Sequence, residues 1–118
     1  YASIKRFKEK IKEEFNLEDL ENSNIKEFIE KNIEDVKLKY LINQYVENLA
    51  IGISNIINIF EPEVIVIGGG FSDYKDILIK PLKKKILSDN MLFNKREDIN
   101  IKVSKLGNDA GMIGATLI

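Results

Sequence analysis

Gly68-Gly69-Gly70-Phe71-Ser72 is the stretch of this chain whose residue types and spacing could do chemistry. Four apolar residues, Val64 to Ile67, run into it, and Ser72 or Asp73 then offers a cap ahead of a helical pattern. Strand, turn and helix is the implied order. A strand apolar on both faces belongs inside a parallel sheet with helices packed on each side. Glycines at its carboxyl end let backbone N–H groups approach a ligand, and the following helix N-terminus favours an anion. A phosphate or a nucleotide suits this arrangement, although a tight βα turn that binds nothing needs the same glycines. A second glycine-bearing turn, Leu106-Gly107-Asn108-Asp109-Ala110-Gly111, follows a second strand pattern.

Two familiar glycine motifs fail. A dinucleotide fingerprint begun at Gly68 would need glycine at position 73, which is aspartate, and the Gly-Lys-Ser/Thr of a P-loop occurs nowhere. The chain has no cysteine and no histidine, which removes disulfides, thiolate or imidazole zinc sites, and Ser-His or Cys-His catalytic pairs. With 18 basic and 19 acidic residues, the net charge of −1 gives no electrostatic footprint for nucleic acid or an anionic membrane. No apolar run reaches membrane-spanning length and no secretory signal opens the chain, so a cytoplasmic location is expected. Isoleucine, lysine and asparagine make up 48 of the 118 residues, so the lysines read mainly as surface.

The elements that must position the turns follow from periodicity. Ile4, Phe7, Ile11 and Phe15 recur at helical spacing and predict an amphipathic helix from about Ala2 to Phe15. Ser23 or Asn24 can cap a second helix with the stripe Ile25, Phe28, Ile29 and Ile33. Asp35 caps the longest element, from about Val36 to Phe60, which would extend roughly 35 Å. Ile51 and Ile59 lie off its main stripe, so its C-terminal half is expected to meet neighbours on more than one side. Packing against a second chain and a purely intramolecular core both fit that pattern. Pro62 ends this helix. The strand Glu63 to Ile67 follows, then a helix from Tyr74 to Leu87 that Pro81 should kink or restart. Lys83-Lys84-Lys85 reads as a solvated helix end, where cations are favoured. After a polar loop, Ile99, Ile101 and Val103 alternate with polar residues, as at a sheet edge. Asn108 or Asp109 then caps a final small-residue helix reaching Ile118.

Four segments carry a resemblance that spans the chain. Tyr40-Leu41, Asn55-Ile56-Ile57-Asn58, Pro62 to Gly70, and Leu106 to Ala115 closely resemble the C-terminal part of the ROK family of repressors, open reading frames and sugar kinases. Tyr1-Ala2-Ser3 looks like the residues just after that family's zinc motif. The resemblance implies an α/β fold: a truncated C-terminal lobe of the actin-like ATPase (RNase H-like) fold, with parallel strands flanked by helices. The whole of 1–118 would be one such lobe, helical over 1–60 and strand-turn-helix over 61–118.

In a full-length relative, sugar and ATP with Mg2+ would lie between two lobes. By resemblance, Gly68, Gly69, Gly70, Phe71 and Ser72 would meet the nucleotide, and Gly107, Asn108, Asp109, Ala110 and Gly111 would lie near the same half of the cleft. The family's phosphate-binding Asp-x-Gly-Gly-Thr, its catalytic aspartate, its Glu-x-Gly-His sugar motif and its zinc cysteines are missing from this sequence. The zinc site is therefore absent, and the chain is expected to phosphorylate nothing alone. Family topology would also set the Val64 strand beside a first strand missing here, leaving an unpaired edge. A homodimer through the long helix or that edge is expected, with no nucleic acid and no membrane partner. Three roles stay open: the nucleotide-side part of a glucokinase-like hexose kinase, the effector and dimerisation part of a ROK transcriptional repressor, and a non-catalytic remnant.

Overall fold

The computed structural model describes residues 4–21, 24–68, 71 and 74–103, together with the backbone of 112–116. Helix α1 spans Ile4–Glu14, α2 Ile25–Lys31 and α3 Val36–Phe60. Strand β1 is Val64–Gly68, α4 is Lys75–Ser88, β2 is Ile101–Val103 and β3 is Met112–Thr116. Among the described residues the strands form one sheet in the order β2-β1-β3.

Capping and apolar spacing account for the helices. Asp35 Oδ1 accepts a hydrogen bond from the Leu38 backbone N–H at 2.9 Å, which satisfies one of the free donors at the start of α3. Glu61 closes the same helix in the left-handed region, φ 45°, with its N–H bonded to the Ile57 carbonyl, and Asn94 Nδ2 donates to its carboxylate at 2.6 Å. Asn24 occupies the N-cap position of α2 but makes no side-chain cap bond. Ile33, expected on the α2 stripe, falls beyond the end of that helix. Helix α4 runs through Pro81 without a restart. Its lysine run lies at a solvated end, where Lys85 pairs with Asp89 at 3.0 Å and Lys83 with Asp98 at 3.5 Å.

One apolar cluster joins the four helices and β1. Ile4, Phe7 and Ile11 of α1, Ile25 and Ile29 of α2, and Leu78, Leu82 and Ile86 of α4 meet the buried side of α3 and Ile65 and Ile67 of β1. Helices α3 and α4 pack directly on each other, and α1 lies against α3. Buried Ala50 and Ser54, four residues apart on α3, present little bulk, which suits a close helix contact. Lys8 is a departure from the surface reading of the lysines, because it is only 5% exposed. It lies beside Ile4, at the edge of the arc of Ile4, Phe7 and Ile11, and is buried along with that arc. Ile51 and Ile59, expected to meet neighbours, are exposed.

Two expectations about the sheet are overturned. Residues 112–116 lie within the segment expected to be a helix, yet they form β3, antiparallel to β1 in the register Val64↔Thr116 to Gly68↔Met112. The β1 edge expected to be unpaired is thereby occupied, while β2 takes the other edge in parallel register, Ile65↔Ile101 to Ile67↔Val103. The reason is energetic and in part tertiary. Gly114 would cost a helix about 1 kcal/mol relative to alanine, whereas an open edge on β1 leaves a row of backbone donors and acceptors wanting partners. With that segment in the sheet, Val64 and Val66 are only half-buried, while Ile65 and Ile67 on the helix-covered face are buried. Helices packed on both faces of β1, as the apolar run suggested, are not found among the described residues.

Candidate functional site

Because β1 and β2 are parallel and Ile67 pairs with Val103, their carboxyl ends lie side by side. Gly68 closes β1 there, and α4 begins seven residues later at Lys75. Ligands of parallel sheets bind beyond this end of the strands.

The structure shows a groove between the start of α4 and β2. It measures about 530 Å³ and is lined by Lys75, Asp76, Ile79 and Lys80 from the first two turns of α4 and by Ile101 and Val103 from β2. That volume is in the range of small-molecule sites. Three apolar side chains form a wall suited to a planar ring, two lysines add positive charge for an anion, and Asp76 adds one hydrogen-bond acceptor. A second groove of about 560 Å³ lies between α1 and α3, among Arg6, Glu9, Lys10, Glu13, Gln44 and Asn48. It has mixed charge and sits in the helical layer, away from the strand ends, so position rather than size favours the first.

The expected site residues divide into three groups. Gly68 is the last residue of β1, at the rim of this end of the sheet. Phe71 is 1% exposed, so its side chain anchors the turn in the core and leaves only its backbone for a ligand. Gly69, Gly70, Ser72, Gly107, Asn108, Asp109, Ala110 and Gly111 lie outside the described residues, as does Asp73 with its expected capping role.

Tyr74, directly after the first turn, is also 1% exposed. Its ring meets Phe7 edge-on at 6.4 Å, and Phe7 in turn stacks on Tyr45 of α3 at 4.5 Å. Burial pushes the Tyr45 hydroxyl well above the ordinary tyrosine range. Phe71 and Tyr74 thus both reach the core, and Tyr74 does so through the aromatic cluster it forms with Phe7 and Tyr45.

The groove-lining residues were not singled out from the sequence. A signal for them existed: strand alternation puts Ile101 and Val103 on one face, and a right-handed crossover carries the connecting helix over the β1–β2 pair. Together these bring Lys75 and Ile79, four apart, over that face.

The ROK family model matches residues 1–118. The chain belongs to the ROK family. Among its ROK relatives, it is 36% identical to a glucokinase of Thermotoga maritima over 76 residues, covering 64% of this chain and 24% of that protein. It is 39% identical to an N-acetyl-D-glucosamine kinase of Haemophilus influenzae, covering 65% of this chain and 24% of that one. A xylose repressor of Caldicellulosiruptor bescii is 29% identical over 62% of the chain and 18% of the repressor. The chain spans 18% to 27% of the length of the curated relatives it matches. No solved structure matches it significantly.

Proposed function

We propose that this chain is the nucleotide-side portion of an ATP-dependent sugar kinase of the glucokinase type, a C-terminal lobe of the actin-like ATPase fold that does not catalyse alone. One observation carries the reading: a groove of about 530 Å³ lies between the start of α4 and β2, the strand that runs parallel to β1. The donor set fits an adenine nucleotide. Ile79, Ile101 and Val103 would flank the base, Lys75 and Lys80 would face its anionic part, and the Gly68 turn would offer backbone N–H groups to a phosphate. ATP supplies the phosphoryl group when bound. Mg2+ would arrive with it, since the described residues hold no cluster of three or more possible metal ligands.

The test is fluorescence titration of the chain with a labelled ADP, beside the variant Ile79→Glu. A carboxylate set in the apolar wall, able to pair with Lys75 and so to compete with the ligand's anionic part, should weaken binding about tenfold or more. Equal affinity in both proteins, or no binding up to millimolar ADP, would reject the reading.

The repressor relative favours a second reading, the effector-binding and dimerisation portion of a ROK transcriptional regulator. The outer side of α3 supports the dimer in either case. Val36, Tyr40 and Ile51 are 82%, 59% and 47% exposed. They fall within about 60° of one another around the helix. Sedimentation should show a dimer at micromolar concentration that Tyr40→Glu dissociates; a monomeric wild type would end the proposal. A non-catalytic remnant is the reading left if both nucleotide binding and dimerisation fail.

A further inference from the structure

Of the described residues that line the groove between the start of α4 and β2, Asp76 alone carries a carboxylate. An acid in the first turn of a helix is favoured by the helix dipole whichever way it points. What the dipole leaves open is its direction. Measured around α4 from Lys75, Ile79 falls at about 40°, Asp76 at about 100° and Lys80 at about 140°. The carboxylate therefore lies between an apolar side chain of the groove wall and a cation. An ionised carboxylate only accepts hydrogen bonds. This point of the groove thus suits a ligand group that donates, with an apolar ring to one side of it and negative charge to the other.

Covalent structure fixes that order of parts in a nucleotide. The ribose joins base to phosphate and carries two adjacent hydroxyls, whereas the amino group of adenine lies on the ring edge away from the sugar. Two oxygens on one carboxylate can accept from two neighbouring donors, and acidic residues meet ribose hydroxyls in this way in other nucleotide folds. We infer that Asp76 is the sugar-recognising residue of the groove: its carboxylate accepts from the ribose hydroxyls, so the groove takes ribonucleotides in preference to deoxyribonucleotides. The inference rests on the nucleotide reading of this groove and adds to it which part of the ligand α4 recognises.

The experiment titrates wild type and Asp76→Ala with unlabelled ADP, 2′-deoxy-ADP and 3′-deoxy-ADP, following the Ile79 and Val103 amides by NMR so that no reporter group occupies the ribose. Wild type should bind ADP about fivefold to tenfold more tightly than at least one of the deoxy analogues, the effect of one hydrogen bond to a charged group in an open groove. Asp76→Ala should bind all three within about twofold of one another. The ratio is the deciding quantity, because removing a negative charge beside Lys80 shifts the affinity for every nucleotide together. Equal binding of the three ligands by wild type would overturn the inference and leave the nucleotide reading standing; it is also the result expected if Asp76 met the amino edge of the base instead. A preference for ADP that persists in Asp76→Ala would overturn the assignment to Asp76. No binding of any nucleotide to wild type up to millimolar concentration would reject the nucleotide reading, and the inference with it. The wild-type comparison needs no variant, so the proposal stays open to refutation even if Asp76→Ala fails to fold.

Discussion

Raising the pH should destabilise this protein through Tyr45, and Tyr45→Phe should remove that part of the loss. The ring is 8% exposed and stacks on Phe7 at 4.5 Å, and burial pushes its hydroxyl above the ordinary range. In the unfolded chain the phenol titrates near pH 10, while in the folded chain it stays protonated. A group whose folded value is raised contributes stability that is fully present below its unfolded value and is lost as pH rises beyond it. At one unit above the unfolded value, about ten in eleven unfolded molecules carry phenolate, which favours the unfolded state by about 1.4 kcal/mol. Lysines also titrate in this range, so the measurement is a difference. Urea unfolding followed by circular dichroism at pH 8, 9, 10 and 11 gives the stability of each protein. The gap between Tyr45→Phe and wild type should shift by about 1.4 kcal/mol in favour of the variant between pH 8 and 11. Parallel curves for the two proteins would refute the argument, since they would mean that the hydroxyl meets water in the folded state.

Asn58 holds the 91–93 loop onto α3 by donating to the Met91 carbonyl and accepting from the Phe93 N–H, each at 2.9 Å. Asn58→Ala should cost about 1–3 kcal/mol in denaturant unfolding and open the loop to limited proteolysis. Asp35→Ala removes the cap on Leu38 and should cost about 1 kcal/mol by the same assay. Ile53 is fully buried, and Ile53→Ala should cost about 2–5 kcal/mol, enough to unfold a marginal domain on mild heating.

How much of this was legible in the sequence depends on whether the deciding force was local. The limits of α3 were readable to the residue, because Asp35 caps it, an apolar stripe runs its length and Pro62 follows. Strands β1 and β2 were readable for a similar reason: an unbroken β-branched run and a clean alternation leave little choice of state. Residues 112–116 were not. Five residues with two small ones among them fit a helix or a strand, and the outcome turned on the vacant edge of β1, a tertiary circumstance. Lys8 was misread because lysine abundance was taken to describe each lysine, whereas its position beside Ile4, at the edge of the buried arc, carried more information. The groove at the strand ends was legible only as the place where two turns converge; its lining depended on where the crossover set α4.

The occupied edge of β1 can be tested one amide at a time. The Ile65 N–H donates to the Asn100 carbonyl at 2.9 Å, so it points toward the β2 side. Successive amides in a strand point in opposite directions, which sends the Ile67 N–H to β2 and the Val66 and Gly68 N–H groups toward β3. If β3 holds that edge, Val66 should exchange its amide hydrogen about as slowly as Ile65 and Ile67, because all three are bonded within one cooperative unit. If the edge is open, as the sequence pattern suggested, protection should alternate, slow at Ile65 and Ile67 and fast at Val66. The outcome bears on the candidate site as well, since Gly68 is both the residue paired with Met112 and the first glycine of the turn. A slow Val66 with a fast Gly68 would mean that the sheet holds the strand but releases it where the turn begins. Alternating protection along β1 would instead remove β3 from the fold and restore the unpaired edge as a surface for a second chain.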